Sequence, residues 1–101
     1  MKKIINGKMY NTETAKCVGS DQYLYPGELY YCCETLYRKR NGEYFLHGEG
    51  GPASKYNVEV GENSWSGGEK IIPMDIHEAK EWAEEYIDAE EYVAEFGEPE
   101  E

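Results

Sequence analysis

Hydrophobic residues near the C-terminus recur at intervals of three and four, the spacing that places them on one face of a helix. This apolar face consists of Ile76, Ala79, Trp82, Ala83, Tyr86 and Ile87. Asp75 precedes it and Glu78 follows three positions later, a pair typical of a helix N-terminus. We therefore predict a helix from Asp75 to Ile87 that packs against the rest of the chain through Trp82.

A second, shorter helix is predicted directly after the first. Asp88 and Glu91 repeat the capping pattern at the start of Ala89–Phe96. Gly97 is typical of the residue that ends a helix, because glycine adopts positive φ angles without a steric penalty. The two predicted helices together account for most of the C-terminal segment.

The strongest strand signal lies in the middle of the chain. Residues from Glu28 to Arg40 are rich in tyrosine and threonine, Asn41-Gly42 is typical of a turn, and Glu43 to His47 return in the opposite direction. Neither face of the first strand is purely polar, which indicates a sheet covered on one side and partly masked on the other. A last short strand, Glu69–Pro73, is predicted just before the first helix.

The N-terminal quarter is predicted to contain a tight hairpin followed by helical turns. Asn6-Gly7 separates two short extended runs, the pattern of a hairpin. Residues 11–19 begin with residues that cap helices and end at Gly19, so we predict one or two helical turns there. Residues 20–27 contain several turn formers and are predicted to form a loop.

Two glycine-rich segments follow the central hairpin. Gly48–Pro52 is predicted to end the returning strand, and residues 61–68 are predicted to form a loop in which Trp65 folds back onto the core; the alternative is that Trp65 is an exposed aromatic anchor for a partner. Residues 53–60, between the two segments, fit neither a helix nor a strand pattern clearly. Neither glycine-rich segment has the strand and helix context of a phosphate-binding loop.

These elements together indicate the α+β class, with a twisted antiparallel β-sheet packed against a C-terminal amphipathic acidic helix. A chain of 101 residues has room for one hydrophobic core. We therefore predict a single small domain over residues 1–97, with residues 98–101 as a frayed acidic tail. The sequence contains neither an apolar run of membrane-spanning length nor a signal-peptide pattern, so a cytoplasmic location is expected.

The charge is distributed unevenly along the chain, whose formal net charge is −11. Residues 1–73 hold nine acidic and nine basic residues, whereas residues 74–101 hold twelve acidic residues and a single base, Lys80. An acidic segment repels phosphate and anionic lipid, so neither direct nucleic-acid binding nor membrane binding is expected. The expected partner is instead a protein with a basic surface.

We predict that the partner-binding site is formed by acidic residues of the helical segment, called the acidic face from here on. Its members are Glu78, Glu81, Glu84, Glu85, Asp88 and Glu91. Helix side chains three or four positions apart lie about 5–6 Å from each other, near the spacing of successive phosphates along a nucleic-acid strand. The acidic face is therefore predicted to imitate a phosphate backbone; the alternative is that it serves only solubility.

No catalytic residue, metal site or cofactor is predicted. Cys17, Cys32 and Cys33 are odd in number and two of them are adjacent, so reduced and mostly buried thiols are expected rather than a disulfide or a zinc site. Pairing of Cys33 with His47 across the central hairpin is the one nucleophilic arrangement that the spacing allows. The protein is therefore not expected to be an enzyme; a hydrolase that uses the glycine-rich segments is kept as an alternative.

Several stretches of the chain resemble one small protein family. They are residues 3–15 (KIINGKMYNTETA), 34–52 (ETLYRKRNGEYFLHGEGGP), 63–73 (NSWSGGEKIIP) and 78–84 (EAKEWAE). The family occurs in mobile elements of low-GC Gram-positive bacteria, and it is similar to one whose members include anti-CRISPR inhibitors of type II-A RNA-guided nucleases. The resemblance covers nearly the whole chain, includes both glycine-rich segments and implies no catalytic residues.

The resemblance implies an inhibitor that binds a type II-A RNA-guided CRISPR nuclease in the cytoplasm of a bacterial host cell. Such a nuclease holds its guide heteroduplex in a positively charged channel, where an acidic helix opposes guide RNA loading or DNA engagement. The alternative is an acidic interaction module of a mobile element with a different basic target, such as a relaxase or a repressor. A homodimer formed through a tyrosine-rich sheet face, with Tyr30, Leu36 and Tyr44, is left open.

Overall fold

The protein is built around one antiparallel sheet of four strands. The computed structural model describes residues 1–101. Its elements in chain order are β1 (Lys2–Ile5), β2 (Lys8–Asn11), β3 (Lys16–Tyr23), β4 (Cys32–Arg38), β5 (Tyr44–Gly50), β6 (Val58–Gly61), β7 (Ser64–Ser66), β8 (Gly68–Met74), α1 (Ile76–Tyr86) and α2 (Ala89–Phe96). The four-stranded sheet has the order β3-β4-β5-β8, and β1 with β2 and β6 with β7 form two separate hairpins. Antiparallel sheets combined with two C-terminal helices confirm the predicted α+β class.

The central hairpin is the one predicted around Asn41-Gly42. β4 and β5 pair along their whole length, and the backbone N–H of Gly42 donates to the carbonyl oxygen of Lys39 at 3.0 Å. Gly42 has a φ of +91°, the left-handed conformation that a short hairpin loop of this kind requires. β4 begins at Cys32 rather than at Glu28, because residues 25–31 form turns closed by their own backbone hydrogen bonds.

The returning strand ends within Gly48–Pro52, as predicted, but three residues later than His47. β5 continues to Gly50 and pairs with β8 as well as with β4. Gly48 lies directly against the ring of Tyr56, and a Cβ atom at this position would overlap that ring. Glycine is therefore required here for the close approach of two chain segments and not for a turn.

The N-terminal quarter contains the predicted hairpin but not the predicted helical turns. Asn6-Gly7 joins β1 to β2 with φ angles of 51° and 77°, as a two-residue hairpin turn requires. Residues 11–19 instead form a turn closed on the carbonyl oxygen of Asn11, followed by the start of β3. Pairing of β3 with β4 outweighs the weak helix signal of a few capping residues. The loop predicted at residues 20–27 begins only after Tyr23.

The segment after the loop at Pro52 forms a small hairpin at the surface. β6 and β7 pair on either side of Glu62-Asn63, so the predicted loop at residues 61–68 is largely strand. Trp65 is 52% exposed, and the prediction that it folds back onto the core is wrong. The reason is that β6 and β7 form a separate sheet whose residues are nearly all exposed, so Trp65 has no core to pack against there.

Both C-terminal helices are confirmed at the predicted positions. α1 is preceded by Asp75, whose carboxylate accepts a hydrogen bond from the backbone N–H of Glu78 at 2.8 Å. α2 is preceded by Asp88, whose carboxylate accepts from the N–H of Glu91 at 2.8 Å. Each such cap satisfies an N–H group that has no partner inside the helix and contributes about 1 kcal/mol.

The two faces of the four-stranded sheet carry different cores. The core on one face joins the sheet to α1 and consists of Leu36, Tyr44, Leu46, Ala79, Trp82 and Ala83. The core on the other face joins the sheet to the β1–β2 hairpin and consists of Tyr10, Phe45 and Ile71. Successive side chains of a strand point to opposite faces, which is why the neighbours Phe45 and Leu46 belong to different cores. We call the two faces the helix side and the hairpin side.

Candidate protein-binding surface

All six members of the acidic face are exposed. On α1, Glu78, Glu81 and Glu85 follow one another at intervals of three and four residues, so they lie in one row along the helix. The buried residues of α1, which include Ala79, Trp82 and Ala83, pack against the sheet, and the row of carboxylates runs along the border of this buried side, because Trp82 lies four residues after Glu78 and three before Glu85. The row itself remains exposed to solvent.

Three members of the acidic face also cap the helices. The carboxylate of Glu78 accepts a hydrogen bond from the N–H of Asp75 at 3.0 Å, and that of Glu91 accepts from the N–H of Asp88 at 3.4 Å. The carboxylate of Asp88 in turn accepts a hydrogen bond from the backbone N–H of Glu91. These carboxylates stabilise the helix ends, whereas the carboxylates of Glu81, Glu84 and Glu85 cap no helix.

The structure does not bring the six carboxylates into a single straight stripe. Ile87 and Asp88 are extended between the two helices, with φ and ψ of −115° and 164° and of −78° and 168°. Glu84 lies at the junction of the helices beside Tyr92. Although Cys17 of β3 is exposed as a residue, partial desolvation of its thiol raises the pKa, and the negative charge of Glu91, which lies nearby, raises it further. The acidic face therefore bends from the row on α1 toward the edge strand β3.

The acidic face is not neutralised by the chain itself. None of its six carboxylates takes part in an ion pair. Lys80, the single base of the segment, instead places its ammonium group 6.0 Å from the centre of the Phe96 ring. The surface thus presents uncompensated negative charge, which attracts a basic partner at long range and less strongly as salt is added.

One acid of the C-terminal segment belongs to the interior and not to this surface. The side chain of Glu95 is 3% exposed and forms ion pairs with Arg38 at 3.1 Å and Lys16 at 3.3 Å. Its carboxylate also accepts a hydrogen bond from the hydroxyl of Tyr44 at 2.7 Å. Glu95 therefore attaches α2 to the sheet, a role that the count of charges along the chain did not reveal.

A second buried carboxylate, Glu34 on β4, holds α1 and the loop before β6. It accepts hydrogen bonds from Trp82 Nε1 at 3.2 Å and from the hydroxyl of Tyr56, and it pairs with Lys55 Nζ at 2.8 Å. Burial alone raises the pKa of Glu34, but the hydrogen bonds from Lys55, Tyr56 and Trp82 outweigh it and hold the pKa below its usual value. The sequence does contain a signal for this role: Glu34 is the one acidic residue of β4, and it lies between Cys32 and Leu36 on the same face of the strand.

Cys33 and His47, the residues considered for a nucleophilic pair, each have a different partner. His47 is paired with Glu69 at 2.9 Å, and the thiol of Cys33 lies 3.8 Å from the hydroxyl of Ser20, so Cys33 and His47 do not bond to each other. All three cysteines are free, but Cys17 is exposed and the other two are half-buried, so the prediction of mostly buried thiols is wrong. No cluster of three or more metal-ligating side chains is present.

The tyrosine-rich sheet face considered for a homodimer is largely covered. Leu36 and Tyr44 are buried in the core beneath α1, and only Tyr30 of that set is exposed. Neither helix is long and apolar enough to cross a membrane. A comparison with known proteins adds no assignment: no family model, no curated protein and no solved structure matches the chain.

Proposed function

We propose that the protein is an anti-CRISPR inhibitor whose acidic face enters the basic nucleic-acid channel of a type II-A RNA-guided nuclease and blocks guide RNA loading or DNA engagement. The proposal rests on the sequence resemblance and on one structural observation. That observation is a row of exposed carboxylates on α1 which has no basic partner within the chain.

The geometry of α1 supports competition with a nucleic acid. Carboxylates three and four residues apart on a helix are about 5–6 Å apart, so Glu78, Glu81 and Glu85 offer a row of negative charges to lysine and arginine side chains that otherwise hold phosphates. Glu34 and Glu95 fix both helices on the sheet. The charges are therefore presented in a defined orientation, which lowers the entropic cost of binding. This mechanism needs no catalytic group.

The decisive experiment reverses the charge of the acidic face without touching a helix cap. The variant is Glu81→Lys, Glu84→Lys and Glu85→Lys combined, because none of these carboxylates caps a helix. We expect the potency of inhibition in a guide-loading and DNA-cleavage assay with purified nuclease to fall on the order of a hundredfold, since attraction becomes repulsion at three positions. Wild-type inhibition should also weaken as ionic strength rises.

A matched control carries the same change of net charge elsewhere. Glu13→Lys, Glu59→Lys and Glu62→Lys combined alters three exposed acids outside the helices, and this variant should keep close to wild-type potency. If the helical variant inhibits as well as the wild type while the far-UV circular dichroism of both is native, the acidic face serves only solubility.

Affinity capture distinguishes binding to the nuclease from binding to a different basic target. Wild-type protein should retain the nuclease from cells that carry a type II-A system, and guide RNA should reduce the amount retained if loading is the step blocked. Retention of a relaxase or a repressor in place of the nuclease favours the alternative. If one molecule of the protein inactivates or converts many target molecules, the alternative that it is a hydrolase is favoured.

A further inference from the structure

A groove beside the acidic face is not used by the mechanism above. It has a volume of about 400 Å³ and lies between the end of β3, the loop before β4 and the last turn of α1. Three tyrosines line it, one from each of these segments: Tyr23, Tyr30 and Tyr86. Their side chains are 61%, 62% and 36% exposed. Clustered exposed aromatic side chains on a small soluble domain indicate an interaction site, and we call this one the tyrosine groove.

A carboxylate without a partner lies in the same groove. Asp21 stands two residues before Tyr23 on β3 and therefore points to the same face. It is opposite Glu34 in the register of β3 and β4. Glu34 and Lys55 also line the groove, where they form an ion pair with each other at 2.8 Å, whereas Asp21 takes part in no ion pair of the chain. The groove thus combines aromatic rings with one available negative charge.

This combination suits a cationic side chain, and a guanidinium group in particular. A cation over an aromatic ring is attracted by the negative charge of the ring face. The planar guanidinium stacks on such rings and donates parallel hydrogen bonds to a carboxylate, which the compact ammonium group of lysine does not do. Three tyrosines and Asp21 supply both kinds of contact within one groove.

We propose that the tyrosine groove binds an arginine side chain of the basic partner; this rests on the proposed function, which supplies a partner of that charge. The groove and the acidic face share the end of α1, because Tyr86 lines the groove and Glu84 and Glu85 lie in the same helical turn. A basic surface that spans this end of the helix therefore reaches both. A second copy of the chain is disfavoured as the occupant, because each copy has a net charge of −11. The acidic helices of the two copies would lie close together at the groove and repel each other.

The test measures binding of short peptides to the isolated protein by NMR titration of its backbone amides. The probes are tetra-arginine, tetra-lysine and tetra-citrulline; citrulline has the shape of arginine without its charge. We expect tetra-arginine to bind about fivefold or more tightly than tetra-lysine, with the largest shifts at Asp21, Tyr23 and Tyr30. Tetra-citrulline should produce no saturable shifts.

The variants separate the groove from general electrostatic attraction. Tyr23→Ala combined with Tyr30→Ala should weaken tetra-arginine binding about tenfold and abolish the preference over tetra-lysine. Asp21→Asn should weaken it about fivefold. The matched control is Tyr25→Ala, which removes a 72% exposed tyrosine of the same loop that does not line the groove; its affinity should stay within about twofold of wild type.

Several outcomes would overturn the proposal. The first is equal affinity for tetra-arginine and tetra-lysine, and the second is an equal loss of affinity in the Tyr25→Ala control. The third is a wild-type dimer in sedimentation that the combined Tyr23→Ala and Tyr30→Ala variant dissociates, because that result would assign the groove to a second copy of the chain. The peptide assay contains no nuclease, so arginine preference measured there stands even if inhibition fails. Conversely, if reversal at Glu81, Glu84 and Glu85 abolishes inhibition while the groove variant inhibits normally, the groove proposal fails and the proposed function stands.

Discussion

The two sides of the central sheet are covered by different means. On the hairpin side, the ring of Phe45 is stacked with Tyr37 at 5.2 Å and meets Tyr10 edge-on at 5.5 Å, with ring centres as the reference points. On the helix side, apolar contacts are joined by two buried carboxylates, Glu34 and Glu95. The first arrangement relies on aromatic packing, and the second adds charged groups that bond to chosen partners.

This difference affects how accurately the β1–β2 hairpin and the two helices are oriented on the sheet. Apolar burial stabilises contact without strong directional preference, whereas a hydrogen bond weakens steeply when its angle or length departs from the optimum. Glu34 bonds to Trp82 of α1, and Glu95 of α2 bonds to Tyr44 and Arg38. The helices, which carry the acidic face, are thus positioned by directional contacts.

The largest effect is expected on the hairpin side, from Phe45→Ala. Phe45 is fully buried, and removing its ring leaves a cavity between Tyr10 and Tyr37. We expect the free energy of unfolding to fall by about 4 kcal/mol, measured by urea denaturation. Met9→Ala on the β1–β2 hairpin is the control, because Met9 is exposed and its substitution should cost well under about 1 kcal/mol. A loss below about 2 kcal/mol for Phe45→Ala would contradict the claim that aromatic packing around Phe45 stabilises the hairpin side.

A somewhat smaller effect is expected on the helix side, from Glu34→Ala. The substitution leaves the indole N–H of Trp82 and the hydroxyl of Tyr56 without their acceptor in a buried site. We expect a loss of about 3 kcal/mol in the same denaturation assay, and a smaller loss for Glu34→Gln, whose amide oxygen still accepts a hydrogen bond. An equal cost for Glu34→Ala and for the exposed substitution Glu81→Ala would show that the buried carboxylate does not hold α1.

Glu95→Gln should act locally on α2. The variant keeps an acceptor for Tyr44 but loses the charge that pairs with Arg38 and Lys16, so we expect a loss of about 1 kcal/mol. Native-state hydrogen exchange should show faster exchange for the amides of α2 than in the wild type, with the amides of α1 nearly unchanged. Equal acceleration in both helices would mean that Glu95 stabilises the domain as a whole.

The smallest effect concerns the rim of the hairpin side and its dependence on pH. Hydrogen bonds from Lys8, Asn41 and Lys39 lower the pKa of Glu43 from 4.5 to about 2. A carboxylate whose pKa is lower in the folded state adds stability above its unfolded pKa and loses it as pH falls toward its folded pKa. Stability should therefore decline between about pH 5 and pH 2, and less so in Glu43→Gln. An unchanged decline in urea midpoints measured at pH 5 and pH 3 would assign the effect to other carboxylates.

Local signals account for the elements that the sequence predicts correctly. The turn at Asn41-Gly42 and the caps at Asp75 and Asp88 depend on residues within four positions of one another, so the sequence alone is enough to predict them. β3 was missed because its formation depends on pairing with β4 rather than on its own propensity. The exposure of Trp65 likewise depends on where β6 and β7 lie relative to the main sheet.

The candidate surface was predictable to a similar extent. Counting charges finds the acidic residues, and helix periodicity places Glu81 and Glu85 away from the core. The same counting cannot separate Glu95, which lies between basic side chains distant in sequence, from its exposed neighbours. The tyrosine groove was also missed, because Tyr23, Tyr30 and Tyr86 come together only when α1 packs beside β3.

The contact between Gly48 and Tyr56 has a consequence for how this sequence can vary. The ring fills the space that any side chain at position 48 would need, so the two positions should change as a pair, with a larger residue at 48 requiring a smaller one at 56. Loss of the Tyr56 hydroxyl, however, also removes a donor from Glu34. In a library randomised at both positions, selection for folding should therefore return the glycine–tyrosine pair far more often than independent sampling of the two sites would give.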